Sequence, residues 1–355
     1  MNFRHLLLTL ILVVGFGFTS QAQLDIHFSQ FYASPTNLNP ALTGVMNCNI
    51  RLSANYRNQW ASVTTFDNSF NTFSASYDQK IPVGRYDYFG VGATFWGDVA
   101  GTSNFSTVTG KLSGSYSKRM GGYREKAHYL VMGAEVGFAQ RNIDLLALRW
   151  GTQHDGLGGF DASRATEEND FVTDNYNILD LAVGLLWFSI IDRDNNFYIG
   201  GAYSHLNRDN VSFTQGGASQ LDVPLYTKVT LHAGGQFRVG DRVSLIPNIV
   251  TFFQGPSWQL VPGAALRFRL GSRRSQQSFQ LGVWGRITHK LEDQTHMDAL
   301  VLAAKFGYED FSLGFSYDLN VSDLNAASNY NGAFEFSFQY LICGPEKRNV
   351  YCPNF

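Results

Sequence analysis

The chain has 355 residues and a formal net charge of −2, and it carries no basic tract, so it has no electrostatic footprint for a nucleic-acid partner. Aromatic residues make up 15%, with 29 Phe, 17 Tyr and 35 Gly, while only 16% are charged. That composition suits a lipid-facing barrel with aromatic girdles, and the length suits one such domain.

Residues 1–22 read as a signal peptide. Arg4 and His5 precede an apolar run from Leu6 to about Phe18, and Ser20 and Ala22 are small residues placed for cleavage before Gln23. After Ala22 no apolar stretch approaches the ~20 residues of a spanning helix. Residues 23–48 do not alternate. They contain Pro35, Asn37, Asn39, Pro40 and Gly44, and read as an ordered loop that plugs a lumen or lies along the periplasmic rim.

From 49 to 342 the chain alternates with the period of a strand. Ile50, Leu52, Ala54 and Tyr56 oppose Arg51, Ser53, Asn55 and Arg57. Further strands are predicted over 68–79, 87–96, 105–118, 128–141, 177–190, 196–205, 227–239, 243–253, 257–270, 278–288, 299–308, 311–320 and the last run. In that run Phe334, Phe336, Phe338 and Tyr340 oppose Glu335, Ser337 and Gln339. The expectation is an all-β, antiparallel up-and-down transmembrane barrel of about 14 strands, an even number as closure of a single bacterial chain requires. Lys228, Arg238 and Arg286 then face inward and fit a hydrated lumen. The long connections, 142–176 and 206–225, fall in external slots, and very short ones such as 240–242 and 309–310 in periplasmic slots. Residues 343–355 form a periplasmic tail.

Several residues stand out. Asn55, Arg57 and Gln59 share the inward face of the first strand, and Arg286, Ser316, Asp318 and Asn320 also line the lumen. They would contact the N-terminal segment as a hydrogen-bond cluster, or contact a partner; Asp318 would pair with Arg57 or Arg286, or be solvated. The external loops carry Leu145, Leu146, Trp150, Phe160, Phe171, Phe213 and Leu221, which either fold inward as a cap or present a partner surface. Phe315→Arg on the lipid face should cost roughly 2–4 kcal/mol, and Ser316→Arg in the lumen less.

Three cysteines allow one bond. Cys343 and Cys352 would close a small loop in the tail; the alternative joins Cys48 to Cys343 across the barrel seam. The histidines are scattered and no Cys/His pair has ligand spacing. The acidic run Glu167-Glu168-Asn169-Asp170 lacks the glycine of a calcium loop. No Gly-x-Ser-x-Gly elbow occurs. The chain is therefore expected to carry no metal, cofactor or catalytic group.

Certain blocks carry a resemblance. The start Leu24-Asp25-Ile26-His27-Phe28-Ser29-Gln30-Phe31-Tyr32-Ala33-Ser34-Pro35 leads to Leu38-Asn39-Pro40-Ala41-Leu42-Thr43-Gly44 and then Asn55-Tyr56-Arg57-Asn58-Gln59-Trp60. Tyr203-Ser204-His205-Leu206-Asn207, Gly282-Val283-Trp284-Gly285-Arg286 and Ser316-Tyr317-Asp318-Leu319-Asn320-Val321-Ser322 follow in order. Across essentially the whole mature chain these resemble the PorP/SprF family, outer-membrane proteins of the Bacteroidetes type IX secretion and gliding machinery. Arg208-Asp209-Asn210 departs from the family pattern, which has a proline there. The resemblance implies an accessory barrel that supports secretion or surface anchoring of cargo with a type B C-terminal sorting domain, such as a gliding adhesin. It also implies a periplasmic peptidoglycan-binding OmpA-like partner. On that reading Leu145, Trp150, Phe160, Phe171 and Phe213 are candidate cargo contacts. The competing reading is a passive porin or solute transporter.

Overall fold

Alternation along nearly 300 residues resolves into fourteen antiparallel strands: β1 (Ile50–Gln59), β2 (Phe70–Val83), β3 (Asp87–Ala100), β4 (Phe105–Gly121), β5 (Ala127–Asn142), β6 (Asn175–Ile190), β7 (Asn196–Ser204), β8 (Lys228–Arg238), β9 (Val243–Gln254), β10 (Ser257–Arg269), β11 (Gln277–His289), β12 (Thr295–Tyr308), β13 (Phe311–Asn320) and β14 (Asn331–Ile342). Each pairs with its neighbours in sequence, and β14 pairs with β1 from Ile50 opposite Ile342 to Gln59 opposite Ala333. Closure leaves no strand edge, the condition for spanning lipid with strands. This computed structural model describes residues 25–355 except 65–67, 123–125, 157–158, 162, 167–172, 193, 214–222, 272–276, 290–294, 324, 345–351 and 353–355. The signal-peptide reading, Phe171, Leu221 and the acidic run 167–170 lie outside the described residues.

Burial is inverted relative to a soluble protein. Phe315 and Phe336 are 42% and 51% exposed on the outer face, whereas Ser316 and Glu335 beside them are 0% exposed. Strands β2, β3 and β4 run a few residues past their sequence-predicted ends. Alternation fades there, so the pattern alone underestimates the hairpins.

The N-terminal segment takes the plug alternative. Pro35 and Pro40 withhold backbone donors and fix φ, and the chain coils into 3-10 turns at Phe31–Ala33 and Pro40–Leu42 around the short helix α1 (Pro35–Leu38). A second one-turn helix, α2 (Asn325–Ser328), sits in the β13–β14 loop. Two apolar clusters bind plug to wall. Phe31, Tyr32 and Ala33 pack with Val250, Trp284 and Val301, with the Tyr32 and Trp284 rings stacked at 5.3 Å. Ala41, Leu42 and Val45 pack with Tyr88, Tyr129, Leu186 and Phe188. The hydrated lumen expected from Lys228, Arg238 and Arg286 is thus packed with protein where the plug lies, because lumenal positions also carry large apolar side chains. Arg238 sits at the strand end, half-exposed and 3.1 Å from Asp194.

The cysteine pairing also differs from the first expectation. Cys48 bonds to Cys343, with Cα atoms 4.3 Å apart, and the Cys343–Cys352 loop does not form. Seam closure explains this: Ile50 faces Ile342, so the residues flanking those strand ends lie side by side. Cys352 is buried inside, its N–H donating to Asn47 Oδ1 at 2.6 Å and its sulfur 3.6 Å from the Tyr88 hydroxyl.

Candidate functional site: the plugged lumen and its external mouth

The plug descends from the external mouth to the periplasmic rim and is pinned at successive levels. Buried backbone groups outside regular structure must find partners, and the wall supplies them. In the upper lumen Ser29 and Gln30 donate their N–H groups to Glu335 of β14, at 2.8 and 3.0 Å. Ser29 Oγ donates to Asp318 of β13 at 2.8 Å and accepts from Arg57 of β1 and Arg286 of β11. The same Asp318 oxygen lies 2.9 Å from Arg57 and 2.6 Å from Arg286. One carboxylate is therefore shared by two guanidiniums around a plug hydroxyl, all 2–4% exposed.

At mid-depth Asn39 donates to the carbonyls of Leu185 and Gly201, both at 3.1 Å, and lies 3.0 Å from His232 Nε2. Its carbonyl oxygen caps the next turn through Ala41 N–H. The wall makes room with glycine: a Cβ on Gly184 would meet Asn39 Oδ1, and one on Gly133 would meet Ala41 N. Lower down, Asp78 of β2 holds Gly44 N–H at 2.7 Å and Arg51 of β1 at 2.8 Å, and Arg51 donates to Leu42 O. Lys80 donates to Met46 O at 3.1 Å.

The mouth holds an ion-pair chain. Asp25 donates its N–H to Gln254 at 3.0 Å, and its carboxylate lies 2.8 Å from His205 Nε2 and 3.4 Å from Lys228. His205 Nδ1 reaches Asp180 at 2.9 Å, and Lys111 bridges Asp180 and Glu135 at 3.1 and 3.0 Å. Beside this chain lies a cavity of about 50 Å³ bordered by Thr36, Thr109, Arg141 and Leu225. His205 follows the end of β7. Burial opposes its protonation, but the Asp25 and Asp180 carboxylates outweigh burial and raise its pKa to about 9. Burial likewise opposes ionisation of Asp25, and His205 and Lys228 prevail, holding its carboxyl well below the usual range.

The structure brings Arg57, Arg286 and Asp318 together around the plug. Gln59 touches this group only through Arg57, at 3.3 Å. Asn55 and Ser316 are buried and lumenal, yet the Asn55 carboxamide and Ser316 Oγ have no partner among the described residues. Asn320 serves the β13–β14 loop through Ser322 and Ser328. Sequence reasoning missed Ser29, Glu335, Asn39, Asp78, Asp25 and His205 as plug contacts. A usable signal existed for Glu335: it is a lone acid on an inward face, directly opposite Arg57 in the seam register.

The external aromatics divide. Phe213 folds inward, 4.7 Å from the Tyr176 ring, within a cap that includes Ile178, Val211 and Leu225. Leu145 and Trp150 are half-buried, Leu146 is 98% exposed, and Phe160 is exposed with Arg149 over its ring at 4.9 Å.

A closed barrel with an apolar exterior and a polar, plugged interior defines an integral outer-membrane protein. Residues 20–340 match the family described as "Type IX secretion system membrane protein PorP/SprF". The chain belongs to that family. No curated protein matches it. Among solved structures it is similar to CdiB from Escherichia coli, with TM-score 0.46 and 11% identity over 81% of this chain. The chain spans 63% of that protein's length. It is also similar to the Ralstonia pickettii toluene transporter TbuX, with TM-score 0.44 and 12% identity over 91% of this chain and 96% of that one. The CymD monoaromatic hydrocarbon channel gives TM-score 0.45 and 12% identity over 88% and 94%. Likenesses at this level carry no argument about what the chain does.

Proposed function

We propose that this type IX membrane barrel acts by holding exported cargo at the outer face, with no chemical step of its own. The cargo class is a protein with a type B C-terminal sorting domain, as the family membership suggests, and a periplasmic peptidoglycan-binding OmpA-like component is its partner below. The observation that carries the reading is the plug. A lumen filled from Asp25 to Cys48 by its own chain, and pinned at every level, suits a platform better than an open pore. Leu146 and Phe160 in the β5–β6 loop are exposed apolar side chains at the external end, of the kind that supports docking. Phe213, consumed by the cap, is not a contact on this reading.

Deleting the gene should leave general type IX export intact while one surface adhesin is lost or released. Removing residues 142–176 should abolish cargo retention while the barrel still shows heat-modifiable migration. Normal surface labelling of cargo on that correctly assembled, loop-less barrel would refute docking through this loop. Solute-selective conductance of the purified barrel in a planar bilayer would favour the porin reading instead.

A further inference from the structure

A second group of lumenal side chains lies in the periplasmic half and touches the plug only at its edge. Arg267 of β10 stands directly opposite Gln280 of β11, and Gln280 directly opposite Lys305 of β12. Directly opposed residues share a face, so the three form one row across the inner wall. Two inter-strand spacings separate its ends by about 10 Å between Cα atoms, within reach of long side chains converging on one group. Arg267 is two residues from the periplasmic end of its strand, and Gln280 and Lys305 are three from theirs. The row therefore sits roughly 10 Å inside the periplasmic mouth.

Its hydrogen bonding is incomplete in one direction. Arg267 Nη1 donates to Gln236 Oε1 at 2.9 Å, and Lys305 Nζ to Gln339 Oε1 at 3.1 Å. Both acceptors are neutral amides. Neither cation forms an ion pair among the described residues; Asp78 is taken by Arg51, and Asp194 by Arg238 and Arg269. The Tyr32 ring lies 6.0 Å from Lys305 and offers only its face. Gln280 is 7% exposed, and its carboxamide has no partner among the described residues. A guanidinium has five donors and an ammonium three, so most donors here are unused. Among the described residues these half-buried cations have no counter-charge.

We propose that Arg267, Gln280 and Lys305 form an oxyanion site entered from the periplasm, which takes a carboxylate or phosphate group. Arg267 supplies the planar fork, Lys305 a mobile point charge and Gln280 an amide N–H between them. The site is independent of the cargo reading and faces the opposite compartment.

The test uses the full mature barrel in detergent. Lysine acylation at Lys305 is followed by peptide mapping while either inorganic phosphate or a glutamate-rich peptide is titrated in, with sodium chloride holding ionic strength constant. Saturable protection of Lys305 by at least one is expected. Protection by phosphate identifies a small-anion site, and protection by the peptide alone identifies a polypeptide carboxylate. In the Arg267→Gln variant the protecting concentration should rise at least tenfold. No saturable protection beyond the chloride control would overturn the proposal, as would an Arg267→Gln barrel protected as well as wild type. The wild-type titration decides alone where the variant does not assemble.

Discussion

Replacing Asp318 by Asn keeps the shape of the side chain and removes the charge that two arginines share. The Asp318 carboxylate is 2.6 Å from Arg286, 2.9 Å from Arg57 and accepts the Ser29 hydroxyl at 2.8 Å. Only longer contacts to carboxylates then remain, 3.4 Å from Arg57 to Glu335 and 3.5 Å from Arg286 to Asp298. Removing one partner from a buried pair costs about 3–5 kcal/mol. The wall strands keep their full backbone ladders, so the loss falls on the plug residues that the cluster holds. At 1.4 kcal/mol per factor of ten, the open population of the segment rises by roughly 10²- to 4 × 10³-fold. Chymotrypsin reads this directly. Its sites Phe28, Phe31 and Tyr32 are only 5–6% exposed, and cleavage tracks the open fraction when reclosing is fast. The Asn variant should be cut at these sites far faster while its heat-modifiable migration persists. Ser29→Ala should accelerate cutting too, and the double variant should fall short of the sum, because both changes disable one cluster. Unchanged cutting with a lowered barrel-unfolding temperature would mean that Asp318 serves the wall and not the plug.

Gly184→Val should expel or misplace the plug, since its Cβ would meet Asn39 Oδ1; chymotrypsin cutting at Tyr32 in the assembled barrel measures it. His205, with its pKa raised from 6.5 to about 9, stabilises the mouth fully below about pH 6.5 and loses that contribution as pH rises through 9. Cutting at Phe28 should therefore increase between about pH 6.5 and 9 in wild type and level off above that, and a His205→Gln barrel should be cut readily at every pH. Asp25 acts with the opposite sign, its contribution falling away as pH drops below the ordinary carboxylate range. Phe315→Arg should lose roughly 2–4 kcal/mol on the lipid face. Ser316→Arg should now lose no less, because Ser316 is 0% exposed in a packed interior; urea titrations of gel mobility compare the two.

The barrel was legible because a strand's period of two is written locally. Phe336 next to Ser337 needs no distant residue to declare its face. The strand count followed from the same signal, and closure then fixed which termini meet. The cysteine pairing shows the limit of local reasoning. Cys343 and Cys352 are nine positions apart and looked easy to join, whereas Cys48 is 295 residues from its partner. Seam register decides that contest, because it sets Ile50 against Ile342.

The plug was half legible for a related reason. Its prolines and asparagines announce a loop, but no periodicity says which wall a loop will touch. Lumenal polarity was equally ambiguous: an inward Arg57 fits water or a carboxylate. What separates them is whether apolar side chains accompany the polar ones on the inner face. Val250, Trp284, Val301, Leu186 and Phe188 do so on four different strands. An inner wall carrying that much apolar surface needs a partner to cover it, and in this barrel the covering chain is Phe31 to Val45.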